Sequence, residues 1–337
     1  MNRMLTLSLV SMLSSVASGA GAHAAGISAP IEIARSRGAS CDLRTDAQFI
    51  YWTTSDNGLA QGSSSSGAQG MALEWPRASS TILRVPIEGG AITRLATVKA
   101  NWAFLLSLDH DHLYWNGLRT GEIWRMPKAG GTPVRLDDGA HKLMGTATDS
   151  TYVYASDRSA RPEGLLRIPK EGGAATLVSQ SRALTLVLGV DHGDLYWAER
   201  LDGGTGKGWL LRTVATRGGQ SRTLAQVDAL PAQFVFSDDI YFIAGSTVYG
   251  MSRTTGALRR LARASEYGDR GAIGVDNRYL YWGDGKTGEL KRVPKSGGAA
   301  SVVATGTEPC GVVVEGQTIF WMDRGGYRLM RMTISSD

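Results

Sequence analysis

Apolar and polar positions alternate along this chain in a form that keeps returning. The clearest copy is residues 279–298, YLYWGDGKTGELKRVPKSGG: an aromatic run, a polar turn, a run ending in Arg-x-Pro, then Gly-Gly. Around it the pattern predicts four short strands: AIGVD (272–276), YLYWG (279–283), ELKRVP (289–294) and ASVVA (300–304). Each is rich in β-branched or aromatic residues and bounded by turn residues. Asp276-Asn277 opens a tight turn, where a short polar side chain bonds its own backbone. Gly297-Gly298 tolerates the positive φ of a hairpin turn. Pro294 ends a strand because it has no N–H for the ladder. No segment of the repeat region sustains a helical period.

The unit recurs. Aromatic pairs stand at Tyr51-Trp52, Tyr114-Trp115, Val153-Tyr154, Tyr196-Trp197, Tyr241-Phe242, Tyr281-Trp282 and Phe320-Trp321, and their second members are 63, 39, 43, 45, 40 and 39 residues apart. Each pair is followed by a strand carrying Arg at one place: Arg84, Arg125, Arg167, Arg212, Arg253, Arg292 and Arg331. Four-stranded units of about 40 residues predict a β-propeller. One four-stranded sheet cannot bury both its faces, but radial stacking lets each sheet cover its neighbours. The reading is therefore all-β, a seven-bladed propeller over 25–337. The period is too regular for a large sandwich or an open solenoid. The one long gap holds an insertion at 57–79, whose Gly and Ser content predicts a flexible loop between the second and third strands of blade 1.

The seventh unit runs out before a fourth strand. Upstream, 30–35 (PIEIAR) alternates like a half-buried strand and has no other role. It is expected to pair with 328–334 and close the ring, since an open ring exposes a strand edge. Cys41 and Cys310 occupy the same place in units one and seven, which are neighbours only in a closed ring. Equivalent points in adjacent blades lie about 0.87 of their radius apart. A disulfide needs Cα atoms within ~7 Å, so the pair must sit within roughly 8 Å of the axis, at the start of an innermost strand. The alternative is two buried free thiols.

Composition adds little to the fold and something to the location. Arg3, the apolar stretch 4–17 and Ala22-His23-Ala24 have the form of a cleaved secretory signal, so 1–24 is read as a signal peptide and the rest as exported, periplasmic or secreted. No later stretch approaches the ~18 apolar residues of a membrane span. The net charge is +5, or 35 − 31 = +4 without Arg3, and its basic residues are spread over the chain. A nucleic-acid binder clusters them. A disulfide fits an oxidising compartment.

The units Ile50-Tyr51-Trp52-Thr53-Thr54, Leu280-Tyr281-Trp282-Gly283-Asp284 and Ile319-Phe320-Trp321-Met322-Asp323 resemble the YWTD repeats of lipoprotein-receptor propellers. The Arg-x-Pro-x-x-Gly-Gly form is similar to related exported bacterial propellers. The resemblance covers nearly the whole chain after the signal. It departs from the receptor type in having seven units rather than six, and Thr54, Gly117, Ser156, Glu199 and Ala244 replace the repeat Asp in the other blades. It implies the fold; function lives in sites grafted on folds.

No catalytic signature, calcium loop or phosphate loop occurs in the sequence. Asp109-His110-Asp111-His112 has the residue types of a metal site but falls on the turn between first and second strands, which favours turn chemistry. No metal and no cofactor is expected. Residues that recur in every blade maintain the repeat, so a specific site is sought where blades differ. The loops between second and third strands, and between blades, hold Trp75, Trp102, His141, Arg158, Glu199, Arg200, Arg270, Asp284, Asp323 and Arg324. This mixture of carboxylates, guanidiniums and aromatics points to a polar ligand, a protein, peptide or glycan, bound by a monomeric module. The alternative for the rim is ordinary solvated surface. The alternative for the function is an enzyme, a lyase or hydrolase. The streptogramin lyases are seven-bladed propellers whose His and Glu residues on one face hold magnesium, and only His141 matches that face here.

Overall fold

The structure, a computed structural model, describes residues 27–38, 40–55, 79–99, 103–117, 120–137, 142–157, 159, 163–181, 183–201, 208–231, 234–265 and 273–334. The segment 1–24 and all of the 57–79 insertion except Ser79 lie outside these residues. Among them 28 strands form seven four-stranded antiparallel sheets. The first strand of the chain, β1 (Ile31–Arg35), belongs to the last blade. Blade 1 is β2 (Arg44–Thr45), β3 (Phe49–Ser55), β4 (Ser80–Pro86) and β5 (Thr93–Val98). Blade 2 is β6 (Ala103–Leu108), β7 (His112–Gly117), β8 (Ile123–Pro127) and β9 (Val134–Arg135). Blade 3 is β10 (Leu143–Thr148), β11 (Tyr152–Asp157), β12 (Glu163–Pro169) and β13 (Thr176–Ser181). Blade 4 is β14 (Thr185–Asp191), β15 (Asp194–Arg200), β16 (Trp209–Ala215) and β17 (Arg222–Val227). Blade 5 is β18 (Val235–Phe236), β19 (Ile240–Ala244), β20 (Thr247–Met251) and β21 (Leu258–Arg263). Blade 6 is β22 (Gly274–Val275), β23 (Tyr279–Asp284), β24 (Glu289–Pro294) and β25 (Ser301–Thr305). Blade 7 is β26 (Pro309–Glu315), β27 (Thr318–Asp323) and β28 (Arg328–Thr333), with β1 as its outer strand. The protein is a seven-bladed, all-β propeller.

The aromatic pairs explain the stacking. Successive residues of a strand face opposite sides of the sheet, so each Tyr-Trp pair serves two seams at once. Tyr51 packs with Leu113, Trp115 and Met126 of blade 2. Tyr241 packs with Leu280 and Trp282 of blade 6, and Tyr281 with Ile319 and Trp321 of blade 7. At the closing seam Phe320 and Met322 meet Ile50, Trp52 and Val85 of blade 1. The first aromatic thus faces the following blade and the second the preceding one. Both sheet faces are covered, which is why the second strands read as nearly unbroken apolar runs.

Blade 3 corrects the sequence register. There the repeat aromatic is Tyr154 followed by Ala155, not Val153 followed by Tyr154. Tyr154 pairs with Arg167, as Tyr51 pairs with Arg84, and faces Leu195 and Trp197 of blade 4. Ala155 takes the second place and packs towards Tyr114 of blade 2. The counterpart of Asp284 and Asp323 is consequently Asp157, not Ser156.

Ring closure occurs as the alternating segment suggests. β1 pairs antiparallel with β28, Ile31 opposite Arg331 and Arg35 opposite Arg328, with a bulge between Glu32 and Ala34. A bridge from Ile27 to Ile334 extends the pairing. Cys41 and Cys310 form a disulfide with Cα atoms 5.2 Å apart, between the approach to β2 and the second residue of β26.

Polar bonds repeat at the seams. The third-strand Arg reaches the next blade's turn: Arg84 donates to the Lys128 carbonyl, Arg167 to that of Thr216 and Arg331 to that of Ile87, while Arg125 pairs with Glu171 at 3.0 Å. In the opposite direction Lys128, Lys170 and Lys295 pair with Asp46, Asp109 and Asp238 of the preceding blade at 2.6, 2.6 and 2.8 Å. Each of these carboxylates also accepts from the repeat tyrosine, Tyr51, Tyr114 or Tyr241. The Arg row is not uniform. Arg212 turns back to Glu199 and Ser221 of its own blade, and Arg253 lies past the end of β20, in the turn.

These seam carboxylates predict acid lability. Burial by itself raises their pKa values, but the lysine ammonium, the tyrosine hydroxyl and backbone N–H groups outweigh it. Asp46 and Asp109 end below the ordinary value and Asp238 at about 2. A depressed folded pKa contributes stability that is present above the unfolded value of ~4 and lost as pH falls through the folded one. Thermal melting should be flat from about pH 5 to 8 and fall steeply between about pH 4 and 2. Asp109→Asn should melt lower at pH 7 and lose less on acidification. An equal acid slope in wild type and variant would remove Asp109 from this account.

Candidate functional site

In this meander topology the loops between second and third strands share one face with the loops that lead from blade to blade. The other turns lie on the opposite face. On the loop-rich face the second strands of blades 3, 6 and 7 end in an Asp that organises the following turn. Asp323 Oδ1 accepts from the backbone N–H of Glu308 at 2.8 Å and of Gly325 at 3.2 Å, while Oδ2 accepts from Arg328 Nε at 2.8 Å. Asp284 Oδ1 accepts from the N–H groups of Lys286 and Thr287, and Oδ2 pairs with Lys291 at 2.8 Å. Asp157 repeats the device with the N–H groups of Lys142 and Ser159. Sequence reasoning placed Asp157 in this loop but gave the repeat Asp position to Ser156, because it set the blade 3 aromatic pair one residue early. The five-residue spacing Asp149 to Tyr154, matching Asp46 to Tyr51 and Asp276 to Tyr281, carries the right register.

The electrostatics of this row are those of fixed ion pairs. Burial raises the Asp284 pKa, but Lys291 and the turn N–H groups bring it below its ordinary value. Burial lowers that of Lys291, and Asp284 and Glu289 raise it further than burial lowers it. Both groups are charged at neutral pH, the wrong condition for a proton shuttle, whose pKa lies near the working pH. Glu199, also buried, is held by Arg212 at 2.9 Å.

The predicted residues therefore divide. Asp284 and Asp323 sit at corresponding positions of adjacent blades 6 and 7. Glu199 and Arg200 end β15 in blade 4, with the Arg200 N–H bonded to the Leu184 carbonyl. Arg324 opens the turn after β27, where its N–H donates to the Glu308 carbonyl at 3.1 Å. Trp75, Trp102, His141, Arg158 and Arg270 lie outside the described residues.

Between blades 6 and 7 this face opens into a polar cleft of about 480 Å³, lined by Arg35, Thr287, Thr307, Glu308, Asp323 and Arg328 among others. It joins the closing strand to the blade it completes. Arg35 is held by Glu32 at 2.8 Å, and Arg328 by Asp323. The Glu308 carboxylate and the Arg324 guanidinium have no partner among the described residues. The turn between them and β28 is rigidly tied: the Tyr327 carbonyl accepts from Ser36 N–H, and Tyr327 itself is held at φ 50°, a left-handed conformation unusual for a bulky residue.

On the opposite face, the Asp109-His110-Asp111-His112 cluster is turn chemistry. Asp109 Oδ1 accepts from the N–H groups of Asp111 and His112 at 3.0 and 2.8 Å, and Oδ2 from Tyr114 and Lys170. Among the described residues no three His, Cys, Asp or Glu side chains converge as a metal site.

No protein-family model and no curated protein matches the sequence. Solved structures match the fold. A catalytically inactive virginiamycin B lyase from Staphylococcus aureus with quinupristin superposes with a TM-score of 0.65 at 12% identity, over 91% of this chain and 99% of that one. BamB from Moraxella catarrhalis gives 0.55 at 13% identity, over 92% and 99%. A chain of the nidogen/laminin complex gives 0.52 at 16% identity, over 76% and 96%. The similarity is one of fold: this architecture carries a lyase in one case and other proteins in the rest.

Proposed function

We propose that this chain is a non-catalytic binding module that takes a polar ligand on its loop-rich face, from an exported location. The observation that carries the reading is the cleft between blades 6 and 7. Its Asp323 carboxylate is fixed by structural bonds, while the Glu308 carboxylate of the same lining has no partner among the described residues, nor has the guanidinium of Arg324, whose backbone N–H is bonded to the Glu308 carbonyl. A rigid base with free charges of both signs suits hydrogen-bonded recognition of a glycan or a peptide. The paired, ionised state of Asp284 and Lys291 favours binding over acid–base chemistry on this face. The Cys41–Cys310 bond agrees with an oxidising compartment.

The test is a glycan array and a peptide array probed with the purified protein, followed by titration of the strongest binders. Glu308→Gln with Arg324→Ala should weaken binding at least tenfold. Melting should stay within about 1–2 °C, because neither side chain has a hydrogen-bond or ion-pair partner to lose among the described residues. Unchanged affinity in the double variant would move the site off this cleft.

A further inference from the structure

The seam between blades 4 and 5 breaks the repeat on the face opposite the loops. Arg84, Arg125, Arg167 and Arg331, each opposite its repeat aromatic, cross to the next blade's turn; in blade 4 that position is Thr213, and Arg212, one residue back opposite Trp197, stays at home with Glu199. Elsewhere the repeat tyrosine donates to the Asp of its own first turn. Here Asp191 is engaged by Arg253 of blade 5 and by His192 Nδ1 at 2.8 Å. The first turn of blade 4 is a two-residue hairpin, with Asp191 paired directly to Asp194 and both His192 and Gly193 at positive φ. Tyr196 is left as the exception: 3% exposed, with no hydrogen bond to its hydroxyl among the described residues.

Tyr196 lines a cleft of about 570 Å³ built from both blades, within the size range of small-molecule sites. Several of its polar groups are already matched. Arg253 holds Asp191 and the Ser237 and Asp238 carbonyls; Asp238 holds Lys295 and Tyr241. Three groups remain. Asp194 has no partner among the described residues. Among the described residues Arg222 donates only to the Thr254 and Arg253 carbonyls, both at a weak 3.3 Å, and has no acidic partner. Tyr196 lies between them: it pairs with Thr213, which pairs with Arg222, and Asp194 is two residues back on the same face of the sheet. Burial raises the tyrosine pKa, Asp194 raises it further and Arg222 opposes both, so each charge acts on the same hydroxyl.

We propose that this cleft binds a small zwitterion, an amino acid or short peptide, with its ammonium group on Asp194, its carboxylate on Arg222 and the Tyr196 hydroxyl bonding between them. The charges select the class. A ligand that covers an ion without matching it leaves a desolvated, uncompensated charge. A neutral sugar leaves two, and a simple anion satisfies Arg222 but faces Asp194. Only a ligand with both signs matches both. The site is on the other face from the cleft between blades 6 and 7, and the two proposals stand or fall separately.

Titration calorimetry of the full chain with glycine, L-alanine, diglycine and dialanine tests it, with N-acetyl-dialanine amide and glucose as uncharged probes. At least one zwitterion should bind one to one and saturably, and neither uncharged probe should. Tyr196→Phe should weaken that binding about three- to tenfold and Asp194→Asn at least tenfold, with unchanged melting. Arg222→Gln should do the same, but it also touches the seam, so the first two variants carry the decision. The proposal is overturned if no zwitterion saturates, if the capped dipeptide binds equally well, or if Tyr196→Phe and Asp194→Asn both retain wild-type affinity.

Discussion

Replacing Cys41 and Cys310 by Ala should lower the melting temperature on the order of 10 °C, the largest effect expected of any pair of side chains in the ring. The bond links residues 269 positions apart, so it constrains almost the entire described chain in the unfolded state. Chain-entropy treatments give a loop of this length about 5 kcal/mol, near the top of the measured range. At roughly 2 °C per kcal/mol for a chain of this size, that gives the shift stated. The bond also ties the segment that leads from β1 to β2 onto the inner strand of blade 7, at the seam where the two ends of the chain meet. Melting with and without reductant is the direct measurement. A change below 2 °C would mean that the closing strand alone holds the seam.

A chain lacking residues 27–35 should be destabilised to a similar degree for a different reason. It loses β1, leaves the edge of β28 unpaired and removes Ile27, Ile33 and Ala34 from the seam clusters. Burial of a large aliphatic side chain contributes about 1.5–3 kcal/mol, so two partly buried isoleucines and the lost ladder bonds amount to roughly 3–5 kcal/mol. The more revealing result concerns both changes together. With either clasp intact the ring stays closed, and Ile50, Trp52 and Val85 keep their contacts with Phe320, Met322 and Leu329. With neither, that cluster has nothing to hold it shut. The combined loss should exceed the sum of the separate losses, the signature of two elements acting on one event. Strict additivity, read from melting of the two single forms and the double form, would show that blades 1 and 7 hold together by their apolar contacts alone. An exposed β28 edge should also promote self-association of the truncated chain, visible by size-exclusion chromatography.

Much of this was legible before any coordinates. In the sixth unit the expected strands at 279–283 and 289–294 appear as Tyr279–Asp284 and Glu289–Pro294. Of the expected first strand at 272–276, the described residues form only Gly274–Val275, paired with Tyr281 and Leu280, and residue 272 lies outside them. The closing strand was legible as the piece missing from the seventh repeat, and the cysteine pair because its members hold the same place in units that become neighbours when the ring closes. Blade 3 failed because Val153 and Ala155 flank a lone aromatic, and a one-residue slip in a strand exchanges its faces.

The candidate site was legible only in outline. Asp284, Asp323 and Glu199 were singled out by residue type, yet each turned out to be anchored by a cation or N–H of its own blade. Glu308 and Arg324 emerged as the free charges only after those bonds were known. Tyr196 could not have been chosen at all: in sequence it is one repeat tyrosine among several, and only the capture of Asp191 by Arg253 of the next blade sets it apart.

The sequence by itself determined the number of blades, the strands within each, the turn chemistry and the closure of the ring. Those follow from alternation with a period of two, from Gly, Asp and Pro in turns, and from counting repeats, all of which act over a few neighbouring residues. Tertiary structure alone decided which polar groups are free. Lys128 and Lys170 find their carboxylates across a seam, 82 and 61 positions away, and even partners within one blade, such as Arg212 and Glu199, meet only because paired strands bring them together. Whether a carboxylate is a strut or a binding group depends on a contact that local sequence does not encode.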